Sequence, residues 1–390
     1  MRSGRPKVRV CHIIAGLSTG GAEIMLLKLL SAADTERFEV EVVSLTDAGD
    51  VGPRIEALGV RVRSLGMRRG VPNPGYLLKL ALWMRRSQPA VVHTWMYHAN
   101  LIGGLAALLS REGRVVWSIH NSHLDRGDSK MTTRWTSRVC AFLSHVLPTR
   151  IVCCSQNAAA LHARLGYAAS RMTIIPNGID ITAFRPDQSA RPSVRRELGL
   201  SEDSVLIGLV ARFDPQKDHR TFIQAARTLS VRHPQVHFVL CGEDIDWKNL
   251  ELTRWIREAD IGSRCHLLGR RDDVPRITAA LDIATLSSYG EAFPMVIGEA
   301  LSCSVPCVVT DVGDSAHIVG AAGLVVRPRD GLALSNAWSH MLSIGSRGRQ
   351  ELGDIGRRRV RDLFALDSVA ARYEAMYLAV ASELQMAACK

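Results

Sequence analysis

Short runs of apolar and β-branched residues alternate with amphipathic segments along the whole chain. In the first half, the apolar runs predict seven strands, at Val8–Ala15, Glu39–Leu45, Arg61–Leu65, Ala90–His93, Arg114–Ile119, Ile151–Cys154 and Met172–Ile175. The segments between them have helical periodicity, at Ala22–Ser31, Tyr76–Arg86, Ala99–Leu109, Thr132–Val146 and Gln156–Leu165. This alternation is typical of parallel sheets covered by helices.

The alternation stops at a polar stretch with several helix breakers, Asp187–Pro192, and then starts again. Six further strands are predicted, at Val205–Val210, His237–Cys241, Cys265–Leu268, Ile283–Leu286, Val308–Thr310 and Gly323–Val326. A helical segment, Ser368–Met386, closes the chain. Because 390 residues exceed one ordinary core, we predict an α/β protein with domains at residues 1–187 and 188–367. The carboxyl ends of the two sheets should form a cleft.

Composition indicates an ordinary globular protein, with 47% apolar and 22% charged residues. Nine cysteines form no CxxC pair, and we expect reduced core residues rather than a zinc site. The apolar run near the amino terminus is too short for a secretory signal, and no run is long enough to span a membrane. A cytoplasmic location is therefore expected.

The positive charge lies in the first half of the chain. Residues 1–187 contain 24 Lys and Arg against 13 Asp and Glu, whereas residues 188–390 contain 25 of each. A basic surface attracts anionic lipid headgroups, a phosphorylated acceptor or nucleic acid. Nucleic acid is disfavoured because the basic residues are not interleaved with aromatic ones and no nucleic-acid module is present. A basic surface without a dedicated partner is the remaining alternative.

Two carboxylates, Glu291 and Glu299, flank Pro294 after the predicted strand Ile283–Leu286. Proline is favoured at the first helical position, so a helix is predicted to begin at Pro294, with its free amides facing an anion. Each carboxylate can accept two hydrogen bonds from a vicinal diol. The segment therefore predicts a socket for a sugar joined to a nucleotide diphosphate. A capped helix with incidental acids is the alternative.

Two cations, Arg212 and Lys217, follow the predicted strand Val205–Val210. A guanidinium fork and an ammonium group there could stabilise a leaving nucleoside diphosphate without a metal. Asp218 is predicted to cap the next helix. A DxD spacing at Asp244 and Asp246 could hold a divalent cation, but an acidic loop before a helix is favoured. We expect no metal and no cofactor.

In the first half, Gly20 and Gly21 follow the first strand and precede a helix, where backbone amides can approach an anion closely. This turn is neither the dinucleotide fingerprint nor a P-loop. His120 directly follows a predicted strand and could contact the transferred sugar or the acceptor. His93 and His98, near another strand end, are further acceptor-binding candidates.

Taken together, Gly20–Glu23, Ile175–Asp180, the Arg212 and Lys217 pair, and the Glu291 and Glu299 pair resemble the retaining GT-B glycosyltransferases of family 4. The resemblance covers nearly the whole chain and implies two Rossmann-like domains whose parallel sheets face each other across a cleft. It also implies that the carboxy-terminal helix, residues 368–390, packs back toward the first domain.

The resemblance implies roles for the matching residues. Glu299 would bind the ribose, Glu291 the donor sugar, and Arg212 and Lys217 the diphosphate. His120 would contact the reacting sugar. The remaining donor contacts would be the Gly20 and Gly21 turn and the backbone amides near Phe293, Pro294 and Met295. Many relatives have Gly-Gly followed by Pro-Glu where this chain has Gly313–His317, so donor contacts from that loop are not carried over.

The reaction implied is transfer of a sugar, with UDP-sugars favoured, to a glycan or polyprenyl-diphosphate-linked acceptor in cell-surface polysaccharide synthesis. Catalytic roles fall on His120, Arg212, Lys217 and Glu291. A nucleotide-sugar epimerase, a phosphorylase, or an inactive binding protein on the same scaffold are the alternatives. The segment Met131–Val146 could touch an anionic inner membrane surface with one apolar side, or could pack that side on its own sheet.

Overall fold

The structure, a computed structural model, describes residues 7–68, 74–122 and 131–388. The chain forms two compact units. Unit 1 comprises residues 1–178 and 366–390, and unit 2 comprises residues 179–365. At the boundary, Ile179 pairs with Ala365 in a parallel bridge, and the Ile179 amide donates to the Phe364 carbonyl oxygen. The chain therefore passes from one unit to the other along two adjacent segments, somewhat earlier than the sequence-based boundaries at residues 187 and 367.

Unit 1 contains a seven-stranded parallel sheet in the order β3-β2-β1-β4-β5-β6-β7. Its strands are β1 Val8–Ile14, β2 Phe38–Ser44, β3 Arg61–Ser64, β4 Val91–Trp95, β5 Arg114–Ile119, β6 Arg150–Cys153 and β7 Met172–Ile174. Its helices are α1 Gly21–Ser31, α2 Gly52–Glu56, α3 Pro74–Ser87, α4 Met96–Ser110, α5 Met131–Leu143, α6 Gln156–Arg164 and the closing helix α15 Leu366–Ala388.

Helix α15 is part of the core of unit 1. Its residues Val369, Tyr373 and Tyr377 are buried in one hydrophobic cluster with side chains of β1, β4 and α1. The edge of the helix is held by polar contacts, in which the Asp34 amide donates to Glu374 at 2.9 Å and Arg150 pairs with Glu383 at 2.9 Å. The last helix in the sequence therefore packs against the sheet of unit 1 and contributes to its core.

Unit 2 contains a six-stranded parallel sheet in the order β10-β9-β8-β11-β12-β13. Its strands are β8 Val205–Val210, β9 Val236–Cys241, β10 Cys265–Leu267, β11 Ile283–Leu286, β12 Cys307–Thr310 and β13 Gly323–Val326. Its helices are α7 Ala190–Glu197, α8 His219–Ser230, α9 Leu250–Glu258, α10 Val274–Ala279, α11 Met295–Ser302, α12 Ser315–Val319, α13 Gly331–Ser343 and α14 Gly345–Leu363. The predicted α/β class with parallel sheets is confirmed.

Each sheet has a topological switch point, where the strand order reverses direction. In unit 1 it lies between β1 and β4, and in unit 2 between β8 and β11. Ligands of open α/β sheets bind beyond the carboxyl ends of the strands at such a point, because the flanking loops diverge there and leave a crevice. The topology thus marks the loops after β8 and β11 as the place for a ligand in unit 2.

Candidate functional site

The two cations predicted from the sequence lie in the loop after β8, at the switch point of unit 2. Arg212 is half exposed, and its guanidinium pairs with Asp214 at 3.0 Å. Lys217 ends a short 3-10 turn, Pro215–Lys217. Asp218 then accepts hydrogen bonds from the Thr221 amide and hydroxyl, so the predicted cap of α8 is confirmed.

The loop after β11 brings Glu291 to Lys217. The Glu291 Oε1 atom lies 2.5 Å from the Lys217 Nζ atom and accepts a second hydrogen bond from the Ser288 hydroxyl at 2.8 Å. Two further contacts join the loops, from the Tyr289 amide to the Gln216 carbonyl and from the Ser287 hydroxyl to the Lys217 carbonyl. The predicted cations and the first of the predicted acids therefore belong to one connected group.

Helix α11 follows this group and begins one residue later than predicted. Pro294 is the N-cap, with φ −71° and ψ 96°, and the first helical residue is Met295. The proline side chain accepts no hydrogen bond from the first-turn amides, whose dipole end suits an anion. Phe293 is buried against the ring of Phe364, so only its backbone could serve a ligand. Glu299 is half-buried in the next turn.

The segment Gly313–His317, whose sequence differs from that of many relatives, includes the start of α12 and packs on the backbone of Glu291 and Ala292. Gly313 has φ +53°, and a Cβ there would collide with the carbonyl oxygens of Glu291 and Ala292. The Asp314 amide donates to the Ala292 carbonyl at 3.0 Å. This loop therefore supports the backbone that carries Glu291, whatever contacts it makes to a ligand.

The acidic loop after β9 leads into a helix. The Asp246 side chain accepts from the Lys248 amide at 2.7 Å, and Asn249 is the N-cap that accepts from the Leu252 amide. Within residues 7–68, 74–122 and 131–388, no group of three or more His, Cys, Asp or Glu residues could hold a metal ion.

In unit 1, the turn at Gly20 and Gly21 lies between β1 and α1, at the switch point. Gly20 is the N-cap, with an extended backbone, and Gly21 is exposed at the first helical position. The Glu23 carboxylate folds back over Gly20, where any Cβ would collide with it. An acid in the first turn is favourable at the positive end of a helix, so a phosphate approaching this turn would meet a carboxylate already there.

His120 follows β5 directly and stacks on the indole ring of Trp95, with ring centroids 5.0 Å apart and an angle of 18° between the planes. In the described part of the chain, neither ring nitrogen of His120 has a hydrogen-bond partner. Burial lowers the pKa of His120 to about 4, and the nearby Asn177 side chain opposes this shift. Trp95 itself donates to the His12 Nδ1 atom at 3.0 Å. His120 is thus a neutral imidazole in a fixed orientation.

The other two predicted histidines occupy different surroundings. His93 is fully buried in the sheet of unit 1, where its ring nitrogens lie 2.7 Å from the Tyr377 and Ser118 hydroxyls. These contacts leave no ring nitrogen of His93 for an acceptor. His98 is exposed in the first turn of α4. The backbone before it is unusual, because Met96 has φ +71° where β4 passes into α4.

The apolar side of α5 is exposed to solvent. Five residues that recur on one side of the helix and its last turn are between 42% and 79% exposed: Met131, Trp135, Val139, Phe142 and Val146. Arg138 lies over the Trp135 ring at 5.7 Å, and α5 contains no acidic residue. None of the helices in the described ranges is long and apolar enough to cross a membrane.

Sequence reasoning did not identify two residues that organise these groups. Asp214 holds Arg212, and Trp95 holds His120. The sequence does not indicate either role. An acidic residue two positions after an arginine is common, and so is a tryptophan at the end of a strand.

The chain matches known proteins over both units. Residues 19–183 match the sequence profile of Glycosyltransferase Family 4, and residues 204–343 match that of Glycosyl transferases group 1. An Escherichia coli UDP-Gal:alpha-D-GlcNAc-diphosphoundecaprenol alpha-1,3-galactosyltransferase is 24% identical over 82% of this chain and 83% of its own length. The putative glycosyltransferase EpsF of Bacillus subtilis is 25% identical over the same shares.

Solved structures agree with this family in fold. Anabaena HepE in complex with UDP superposes with a TM-score of 0.83 at 21% identity, covering 95% of this chain and 100% of that one. WaaG, a glycosyltransferase involved in lipopolysaccharide biosynthesis, superposes with a TM-score of 0.70 at 17% identity, covering 94% and 99%. The predictions of an enzyme and of the GT-B fold are confirmed. The chain belongs to the family 4 glycosyltransferases, and its second half matches the profile of Glycosyl transferases group 1.

Proposed function

We propose that unit 2 binds a UDP-linked hexose and that the enzyme transfers the hexose with retention of its anomeric configuration. The observation that carries the proposal is the group at the switch point in which Lys217 pairs with Glu291 and Asp214 joins Arg212 to the turn that ends at Lys217, before the amino end of α11. Two fixed cations and free helix amides suit a diphosphate, and Glu291 and Glu299 suit the hydroxyl groups on either side of it.

The choice of UDP is supported by relatives. The Escherichia coli relative is named for UDP-galactose, and the Anabaena neighbour was crystallised with UDP and with UDP-glucose. We propose the same nucleotide here, with Glu299 on the ribose and Glu291 on the hexose. Backbone amides near Phe293, Pro294 and Met295 and the turn at Gly20 and Gly21 are the further proposed donor contacts.

In the proposed reaction, the bond between the anomeric carbon and the β-phosphate oxygen breaks, and a bond to the acceptor oxygen forms on the same face. The acceptor proton passes to the departing phosphate oxygen. Arg212 and Lys217 stabilise the negative charge that develops on the nucleoside diphosphate, as fixed donors do in other transfer reactions. No metal is needed for this charge, and full activity in EDTA is the expected result.

His120 is proposed to orient a hydroxyl group of the reacting sugar. Its low pKa, caused mainly by burial, keeps the imidazole neutral near pH 7, so it can donate one hydrogen bond and accept another. His98 is proposed to contact the acceptor from the exposed first turn of α4. His93 has both ring nitrogens engaged, so it is proposed only to support the sheet beneath His120.

The acceptor is proposed to be a glycan carried on a polyprenyl diphosphate, in agreement with the lipid-linked substrate named for the Escherichia coli relative. Such a substrate lies in a membrane. We propose that the exposed side of α5 rests on the anionic inner face of that membrane, because it combines aromatic residues with arginines and no acidic residue.

Calorimetry on the full chain tests the donor. UDP and UDP-hexoses should bind, with GDP-, ADP- and dTDP-hexoses binding more weakly, and EDTA should not change the affinity. The anomeric configuration of the product, measured by the proton coupling constant in NMR, tests retention. Absence of binding by every nucleotide hexose would refute the proposal, and an inverted product would refute retention alone.

A further inference from the structure

Asp214 connects the two cations of unit 2. Its Oδ2 atom accepts hydrogen bonds from Arg212, from Nε at 3.3 Å and from Nη2 at 3.0 Å. Its Oδ1 atom accepts from the Gln216 amide at 2.9 Å and so caps the 3-10 turn that ends at Lys217. The Lys217 amide in turn donates to the Asp214 carbonyl oxygen at 2.9 Å. One residue therefore fixes the side chain of the first cation and the backbone of the second.

The geometry leaves part of the arginine available. Asp214 occupies the side of the guanidinium formed by Nε and Nη2, while Nη1 makes no hydrogen bond within the described ranges. A guanidinium presents two edges, each able to meet an anion with two parallel donors. With one edge held by Asp214, the outer edge remains for a phosphate group.

Restraining Arg212 before a ligand binds reduces the side-chain entropy that is lost on binding. The Arg212 side chain is 52% exposed, and a free arginine there would lose much rotamer freedom when a ligand binds. Asp214 is better buried, at 26% exposure. Burial raises the pKa of Asp214, but hydrogen bonds from the Gln216 amide and Arg212, with the charges of Arg212 and Lys217, lower it overall. The carboxylate is therefore charged near neutral pH and holds Arg212 in one orientation before a ligand arrives.

We infer that Asp214 is a positioning residue for the donor diphosphate, acting through Arg212 and through the turn that presents Lys217. This inference rests on the proposed function of unit 2. It opposes a second reading, in which the Asp214 carboxylate competes with phosphate for Arg212 and weakens binding. When the Asp214 carboxylate is neutralised, the first reading predicts weaker diphosphate binding and the second predicts tighter binding.

The experiment is calorimetric titration of the full chain with UDP. Asp214→Asn retains a side-chain oxygen that can cap the turn but loses the charge that holds Arg212. We expect about three- to fivefold weaker UDP binding, the range of an exposed ion pair. In a chain that already carries Arg212→Ala, adding Asp214→Asn should change UDP affinity little, because the Asp214 charge affects UDP binding through Arg212, which is then absent. Affinity for uridine, which has no phosphate, should not change.

Asp218→Asn is the matched control. Asp218 caps α8 in the same loop and contacts Thr221 rather than a cation, so UDP binding should remain at the wild-type level. Unchanged or tighter UDP binding by Asp214→Asn would overturn the inference, and so would equal losses for UDP and uridine, which would indicate a general structural defect. A wild-type chain that binds no UDP would instead overturn the proposed function and, with it, the inference.

Discussion

The Lys217 ammonium lies 2.5 Å from the Glu291 carboxylate, although the two residues are 74 positions apart in the sequence. Both side chains are largely buried, at 23% and 13% exposure. Removing one partner leaves the other charge poorly solvated, which costs about 1–3 kcal/mol. Lys217→Met and Glu291→Gln should therefore each lower the free energy of unfolding, whereas the double variant should recover most of the loss.

Activity should respond differently from stability in this pair. If Lys217 stabilises the leaving diphosphate, every variant without it should lose about 100-fold or more in kcat, the usual effect of removing one fixed donor. The double variant should thus be stable but inactive. Urea unfolding and initial rates with UDP-hexoses measure the two properties separately. Lys248→Met removes an exposed lysine of the same unit and should change neither. A stable, active double variant would show that the pair serves only the fold.

Most strands and helices follow from the sequence because each is a short apolar run or an amphipathic segment between clear breakers. Strand β5 is predicted to the residue, and α11 begins one residue later than predicted, at Met295. Proline fits both the N-cap and the first helical position, so the sequence pattern alone does not decide between them. The polar stretch after Asp187 predicts a unit boundary there, whereas the chain divides at Ile179, which pairs with Ala365 within unit 2.

Residues of the candidate site can be predicted from the sequence where their own charge and their place at a strand end indicate a ligand contact. The charges of Arg212, Lys217 and Glu291 at strand ends predict a common site. In the structure Glu291 pairs with Lys217, and Asp214 joins Arg212 to the turn that ends at Lys217. The sequence does not predict the roles of Asp214 and Trp95, because each role comes from the side chain that the residue contacts, Arg212 and His120 respectively. The predicted strand ends at His93, which predicts a side chain available to an acceptor, but β4 continues to Trp95 and the His93 ring contacts the hydroxyls of Tyr377 on α15 and Ser118 on β5. The direction of a side chain at the end of a strand depends on register and on later segments, here α15.

Gly313 should be intolerant of a side chain. It has φ +53°, and a Cβ would collide with the backbone carbonyls of Glu291 and Ala292. Gly313→Ala therefore adds a steric collision to the cost of about 1 kcal/mol for alanine in the left-handed region. We expect a loss of about 2–4 kcal/mol in unfolding free energy and weaker UDP binding, because the Glu291 segment must shift.

Gly345→Ala separates these two costs. Gly345 has φ +72° and no neighbouring atom within 4 Å of an added Cβ, so it should show the conformational cost alone and normal UDP affinity. Urea unfolding and calorimetry measure both variants. Equal behaviour of the two variants would contradict a supporting role for Gly313.

Acid should destabilise unit 1 through its buried histidines. His162 contacts the Ala158 carbonyl oxygen through Nδ1 at 2.7 Å and the Tyr97 hydroxyl through Nε2 at 2.8 Å, and burial lowers its pKa to about 4. An unfolded histidine has a pKa near 6.5. The unfolded chain therefore binds more protons between about pH 6.5 and pH 4, and stability should fall as the pH falls through this range, by up to about 3 kcal/mol from this residue.

His162→Gln should make stability less dependent on pH, because it removes the one proton that His162 binds on unfolding. The slope of the urea midpoint against pH measures this change. Tyr97→Phe is the control, because it removes the hydrogen bond to His162 but keeps the titrating ring. It should lower stability at every pH and retain most of the slope. A slope that His162→Gln leaves unchanged would show that this histidine does not contribute to the acid sensitivity.

The exposed side of α5 makes a prediction about lipid binding. Phe142 is 79% exposed, so replacing it by aspartate costs the fold little, while a carboxylate in an anionic, apolar interface is strongly unfavourable. Phe142→Asp should therefore reduce binding to vesicles containing phosphatidylglycerol about tenfold or more and leave UDP affinity unchanged.

Leu108→Asp is the matched control, since Leu108 is 63% exposed on α4 of the same unit. Vesicle flotation at low and physiological salt measures both variants. Wild-type protein that does not float, or that floats equally with neutral and anionic vesicles, would refute the proposal that α5 binds an anionic membrane surface.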